Sequence, residues 1–141
     1  MILDCYTTAG KYFLREDLMG LPQLFEAMGK AGVAAAAVMS TRALQADAWK
    51  GNQYLASIAS GDSRVIPIAV VYPEVNHHRL PTLIAESVDR GAAGLGFQMN
   101  QGFSFSSMVI RKTIAEAAKP RLPLFFVDVR DPGILSQVAE I

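Results

Sequence analysis

The chain has 141 residues, of which 51% are apolar and 18% charged. An average soluble domain carries ~25% charged residues, so this chain is core-rich and outside the disordered class, which combines low hydrophobicity with high net charge. Thirteen Lys and Arg offset thirteen Asp and Glu, which leaves no basic footprint for nucleic acid or for an anionic membrane surface.

The length suits one domain, spanning 1–141. A single cysteine excludes an intramolecular disulfide. No apolar run approaches the ~18 residues of a membrane span, and Asp4 interrupts the start of any leader-like segment. A cytoplasmic protein that binds neither nucleic acid nor membrane is the expectation.

Short apolar runs alternate with amphipathic stretches along the chain. The first run is Ile2–Tyr6, followed by a helical pattern that Leu21-Pro22 opens, that Leu24, Phe25 and Met28 make apolar on one face, and that Gly32 closes. Val33–Met39 is the second run. Its alanine-rich centre suits helix or strand, and its shortness after Gly32 favours strand. A second helical pattern runs from Asp47 to Ser60, with Trp49, Tyr54, Leu55 and Ile58 near helical spacing. Val65–Val71 is the third run, and Leu80-Pro81 opens a helix whose Leu83, Ile84 and Val88 face inward up to Gly91. Ala93–Phe97, a helix over Met108–Ala118, the run Leu124–Val127 and a final helix from Pro132 to Ile141 complete the pattern.

Five β-α units with continuous apolar runs argue for an α/β fold with a parallel sheet covered on both faces. Two architectures fit: a flavodoxin-like doubly wound sheet, which the length favours, and a partial (β/α)8 barrel, whose full form needs ~250 residues. In both, ligands gather beyond the carboxyl ends of the strands. The functional loops are therefore expected near Tyr6-Thr7-Thr8-Ala9-Gly10, Ser40-Thr41-Arg42, Tyr72-Pro73-Glu74, Gln98–Gly102 and Asp128-Val129-Arg130-Asp131.

Most catalytic motifs are missing. There is no P-loop, no Gly-x-Gly-x-x-Gly after the first strand and no Gly-x-Ser-x-Gly elbow. A phospho-receiver site would need an acid at the end of the third strand and a lysine at the end of the fifth, and Val70-Val71-Tyr72 offers no acid and Val127-Asp128-Val129 no lysine. Cys5 reads as a buried, inert strand thiol. His77-His78 are adjacent, so their side chains diverge on a strand or helix, and they read as a solvated loop.

Asp128, Arg130 and Asp131 have two readings: mutual pairing with an Asp131 cap ahead of Pro132, or an anion clamp by Arg130 with Asp128 as base. Arg42 is either a surface arginine or a second clamp for a substrate carboxylate. Phe103, Phe105 and Met108 are either helix packing or an aromatic lid.

The opening Met1-Ile2-Leu3-Asp4-Cys5-Tyr6-Thr7-Thr8-Ala9-Gly10 resembles the first strand of the amidohydrolase superfamily, in its amidohydrolase-related decarboxylase and lactonase-like branch, which reads apolar-apolar-Asp-x-His-x-His-x-Gly. Val33 to Thr41, then Val65 to Pro73, Gly91 to Gln98, and Leu122 to Val127 resemble the second to fifth strands in order. The resemblance implies the N-terminal part of a TIM-type barrel and a hydrolase or decarboxylase.

It also implies a divalent metal, but the ligand positions differ. Tyr6 and Thr8 stand for the two first-strand histidines, Gly96 and Gln98 for the fourth-strand Lys and His, and Val127 or Asp128 for the fifth-strand His. Tyrosine, threonine and glutamine are poor zinc ligands, so no cofactor is expected. The resulting expectation is a metal-free, amidohydrolase-like protein that acts on a small carboxylated molecule. Asp128 would be the catalytic base, with Tyr6, Thr8, Arg42, Gln98 and Arg130 binding substrate. The alternative is a non-catalytic remnant or interaction module. Exposed edges of an incomplete barrel predict a homo-oligomer in either case.

Overall fold

Every apolar run singled out above is a strand in the computed structural model, which describes residues 2–10, 20–72, 78–98 and 108–127, with backbone alone at 98, 109 and 110. The elements are β1 (Ile2–Ala9), α1 (Leu21–Ala31), β2 (Val33–Ser40), α2 (Thr41–Gln45), α3 (Ala48–Ala59), β3 (Val65–Val71), α4 (Leu80–Asp89), β4 (Gly94–Gln98), α5 (Met108–Ala118) and β5 (Leu124–Val127). The helix expected from Pro132 lies outside the described residues.

Local signals set the helix ends. Pro22 occupies the first turn of α1, and Gly32 closes it in the left-handed conformation (φ 67°), donating its N–H to the carbonyls of Met28 and Gly29. The carboxylate of Asp47 caps α3 by accepting the Lys50 N–H at 3.0 Å. The alanine-rich β2 is a strand although alanine is the best helix former. It pairs with β1 on one side and β3 on the other, and that pairing outweighs the local preference.

The five strands are all parallel and lie in the order β1-β2-β3-β4-β5, forming a curled half-barrel. This sequential order lacks the reversal at the first strand that a flavodoxin-like sheet requires. The helix positions agree with it. Successive strand residues face opposite sides, and the odd-numbered residues of β3 contribute to two clusters. Val65 packs with Ala36, Val38, Leu24 and Met28 of α1 and Leu55 of α3. Ala69 and Val71 pack with Leu95, Phe97, Leu80 and Ile84 of α4 and Ala117 of α5. The helices α1, α3, α4 and α5 therefore all cover one face, the convex one.

On that side Phe97 and Phe126 stack with centroids 5.4 Å apart. Phe97 is almost fully buried, which stabilises the fold by roughly 1.5–3 kcal/mol, and the half-buried Phe126 ring adds less. The concave face is lined by Ala37, Met39, Ile68, Val70, Phe125 and Val127, and α2 folds over it with Ala43 and Leu44.

Three expectations need correction. The segment Tyr6–Ala9 is strand rather than loop, and Ser40-Thr41-Arg42 leads directly into the helix α2. Cys5 is exposed, because β1 has a neighbour on one side only among the described strands. Trp49 and Tyr54 are exposed as well, at 39% and 57%, so the buried stripe of α3 is carried by Gly51 and Leu55. Among the described residues no helix is long and apolar enough to cross a membrane.

Candidate functional site at the carboxyl ends of the strands

The sequential parallel order brings the carboxyl ends of all five strands to one rim. At the first two ends the register sets Thr8 beside Met39 and Ala9 beside Ser40. Gly10 follows at φ 124°, a conformation that favours glycine, and lies against Thr41. Ser40 is buried and caps α2, its Oγ accepting the Ala43 N–H at 3.3 Å. A serine leaving a strand in extended conformation is suited to this role. The helix it starts buries Thr41, Ala43 and Leu44 and leaves Arg42 exposed at the rim.

At the end of β3 the chain is tied to α2 by a phenol. The Tyr72 hydroxyl sits between the carbonyls of Ala43 (3.1 Å) and Leu44, with the shorter contact to Leu44. Burial pushes the Tyr72 hydroxyl above its ordinary pKa of 10.0.

One turn into α3, Asn52 makes a second tie. Its Nδ2 donates to the Val70 carbonyl at 2.8 Å and its Oδ1 accepts the Val70 N–H at 2.9 Å. The β2–β3 pairing ends at Val38 and Pro67, because β2 turns away into α2. The Pro67 carbonyl accepts from Ala93, on the β4 side. Val70, three residues on, presents its backbone groups to the opposite side, the one β2 has left. Asn52 thus fills a gap in the ladder with one amide, which matters because a buried unpaired peptide group costs ~1–3 kcal/mol.

Of the residues expected at the site, Thr8 is half-buried beside Met39, Arg42 is exposed on α2, and Tyr6 is 48% exposed on β1 with its N–H bonded to Asp4 Oδ1 at 3.0 Å. Gln98 ends β4, paired in register with Val127. Asp128 and Arg130, with the proposed clamp and base, lie outside the described residues, as do His77 and the aromatic segment Phe103–Phe105. His78 is exposed. Gly96, where the resemblance would place a lysine, faces Met39 so closely that a Cβ there would lie 2.6 Å from its Sδ. A lysine does not fit without displacing Met39. Among the described residues no group of three or more His, Cys, Asp or Glu could hold a metal ion.

No protein-family model, curated protein or solved structure matches this chain.

The helix layer holds a feature that the sequence reading missed. Between α3 and α4 lies a cleft of about 820 Å³, floored by β3 and lined by Trp49, Gln53, Leu83, Glu86, Ser87 and Arg90 among others. It opens between the two convex-face clusters. The Arg90 guanidinium stacks over the Trp49 ring, 4.7 Å from its centroid. With the Gln53 amide oriented to satisfy its neighbours, its oxygen accepts from Trp49 Nε1 and Arg90 Nη1, both at 3.0 Å.

Asn52 and Tyr72 were also missed as anchors. Asn52 had a detectable signal, since it sits three residues before the buried Leu55 and so on the strand-facing side of α3. Tyr72 had none, because its partners lie 28 and 29 residues away.

Proposed function

We propose that this chain is an amidohydrolase-like half-barrel that hydrolyses or decarboxylates a small carboxylated molecule at the carboxyl ends of its strands. The observation that supports this best is the sequential, all-parallel strand order, the arrangement in which barrel enzymes place their chemistry at that rim. In this reading the exposed Arg42 holds the substrate carboxylate, for which a guanidinium offers a two-pronged donor. Asp128 takes the proton, and Tyr6, Thr8, Gln98 and Arg130 line the pocket.

The test is a panel of small lactones, amides and carboxylated acids, assayed with and without added zinc or manganese. Turnover without added metal is expected, falling at least about a hundredfold in Asp128→Asn, as loss of a general base does. Arg42→Ala is expected to raise KM more than it lowers kcat. Full activity in Asp128→Asn removes its role, and activity that appears only with metal overturns the metal-free chemistry.

A second reading, a non-catalytic module that assembles with its own kind, is favoured by β1. Ile2, Leu3 and Tyr6 are 57%, 46% and 48% exposed on a strand with a free edge among the described strands, and such edges invite pairing. Sedimentation velocity across a concentration series is expected to show a dimer or larger species. A monomer throughout the series sinks this reading.

A further inference from the structure

The cleft between α3 and α4 is flanked by two matched helical stripes. On α3 these are Trp49, Asn52, Gln53 and Ala56; on α4 and its cap they are Leu83, Glu86, Ser87 and Arg90. Both follow the i, i+3, i+4, i+7 spacing of a single helix face. Adjacent helices of a barrel layer ordinarily bury such faces against each other. Here they stand apart over a floor of small and apolar residues, Pro67, Ala69 and Val71.

Most polar groups on these stripes are already engaged. Asn52 holds Val70, Ser87 Oγ donates to the Leu83 carbonyl at 2.7 Å, and Gln53 and Arg90 are bound to each other and to Trp49. Glu86 is the exception: its Oε2 is shielded from solvent and has no hydrogen-bond partner. Arg90, four residues on, is the natural ion-pair partner for Glu86 on one helix, yet it is turned onto Trp49 and Gln53. A buried carboxylate oxygen without a donor is costly, and a cation that reaches it recovers that cost.

We propose that this cleft binds a small molecule with a primary ammonium head on an apolar body. The ammonium meets the Glu86 carboxylate at the cleft wall, where a partial turn about its soft terminal torsion brings Oε2 out of its shielded position to accept from it. The body lies over Pro67, Ala69 and Leu83. A cleft of about 820 Å³ falls within the ~300–1,000 Å³ of small-molecule sites. The charged lining is balanced, with Asp47 and Glu86 against Arg79 and Arg90, so selection for the cation is local to Glu86 and does not come from net charge.

Trp49 is the only tryptophan of the chain and lines the cleft, so its fluorescence reports occupancy directly. The experiment titrates the full chain with n-hexylamine and, separately, with hexan-1-ol, its neutral counterpart. A saturable change in Trp49 emission is expected, with hexylamine bound at least about tenfold more tightly than hexanol. Glu86→Gln is expected to erase that preference and leave hexanol binding unchanged. Equal affinity for amine and alcohol, unchanged amine affinity in Glu86→Gln, or no saturable change each overturns the proposal. Should Glu86→Gln fail to fold by circular dichroism, the amine-over-alcohol preference of the unaltered chain decides alone.

Discussion

β1 and β3 are strands of one parallel sheet, eight and seven residues long, and both carry large apolar side chains, yet their surroundings are opposite. In β3 five of the seven residues are buried and the other two half-buried. In β1 only Ala9 is buried, while Ile2, Leu3, Cys5 and Tyr6 are exposed. Composition does not explain this. β3 has strands on both sides, helices over its convex face and α2 folded near its end. It is fixed further by two side-chain ties to distant parts of the chain, Asn52 of α3 to Val70 and Tyr72, at the end of β3, to the Ala43 and Leu44 carbonyls of α2. Burial is thus a property of a strand's neighbours, and an apolar run reports only its capacity for burial.

The contrast can be broken from the β3 side. The largest effect is expected at Gly51, where a Cβ would lie 2.6 Å from the Ala43 Cα, so that α2 and α3 approach backbone to backbone. Gly51→Ala should lose about 3 kcal/mol in urea unfolding despite the gain in helix propensity, because backbone cannot yield as a side chain can. Asn52→Ala comes next. It strands the Val70 N–H and carbonyl in the gap left by β2 and should cost about 2 kcal/mol, with amide exchange at Val70 accelerated as the specific reporter.

Tyr72→Phe should cost about 1 kcal/mol, the worth of its hydroxyl's bond to the α2 carbonyls. It also carries a pH signature. The folded state holds the Tyr72 proton more tightly than the unfolded chain does, so this contribution is complete below pH 10 and declines as the pH rises through the raised folded-state value. The wild type should therefore lose more stability than Tyr72→Phe when melting is followed upward from pH 9. Equal alkaline losses would show that the phenol is not held by burial.

From the β1 side the smallest change in stability is expected. Leu3→Lys, at a 46% exposed position, should shift stability by less than about 0.5 kcal/mol. It should nonetheless weaken any self-association seen in sedimentation, since a charged edge resists pairing. A large loss of stability in Leu3→Lys would mean that β1 is as enclosed as β3, and the comparison would fail.

Where the signals are local, the chain reads well. β3 and β5 and the helix α5 have the bounds their residue patterns predict, and Gly32, Asp47 and Pro22 cap or open the helices they flank. These signals operate within one turn of backbone. α2 escaped because five residues are too few to show a period, and its serine cap resembles loop composition. Cys5 reads as buried from its place in an apolar run, yet it is exposed because β1 has a neighbour on one side only among the described strands. That the carboxyl ends of the strands share one rim was legible, because repeated β-α units imply a parallel sheet. Which residues anchor it was not, since Asn52 and Tyr72 act across 18 and 28 residues of chain.

By itself, the order of residues determined that strands and helices alternate, where most of them start and stop, and that the sheet is parallel, because these follow from periodicity and backbone caps. Only the tertiary structure decided that the described strands lie in sequential order with α1, α3, α4 and α5 on one face. It also parted α3 from α4 to leave Glu86 facing a cleft, and it closed the gap beside Val70 with an amide. Those outcomes depend on which surfaces meet, and contact between distant segments leaves no mark in local sequence.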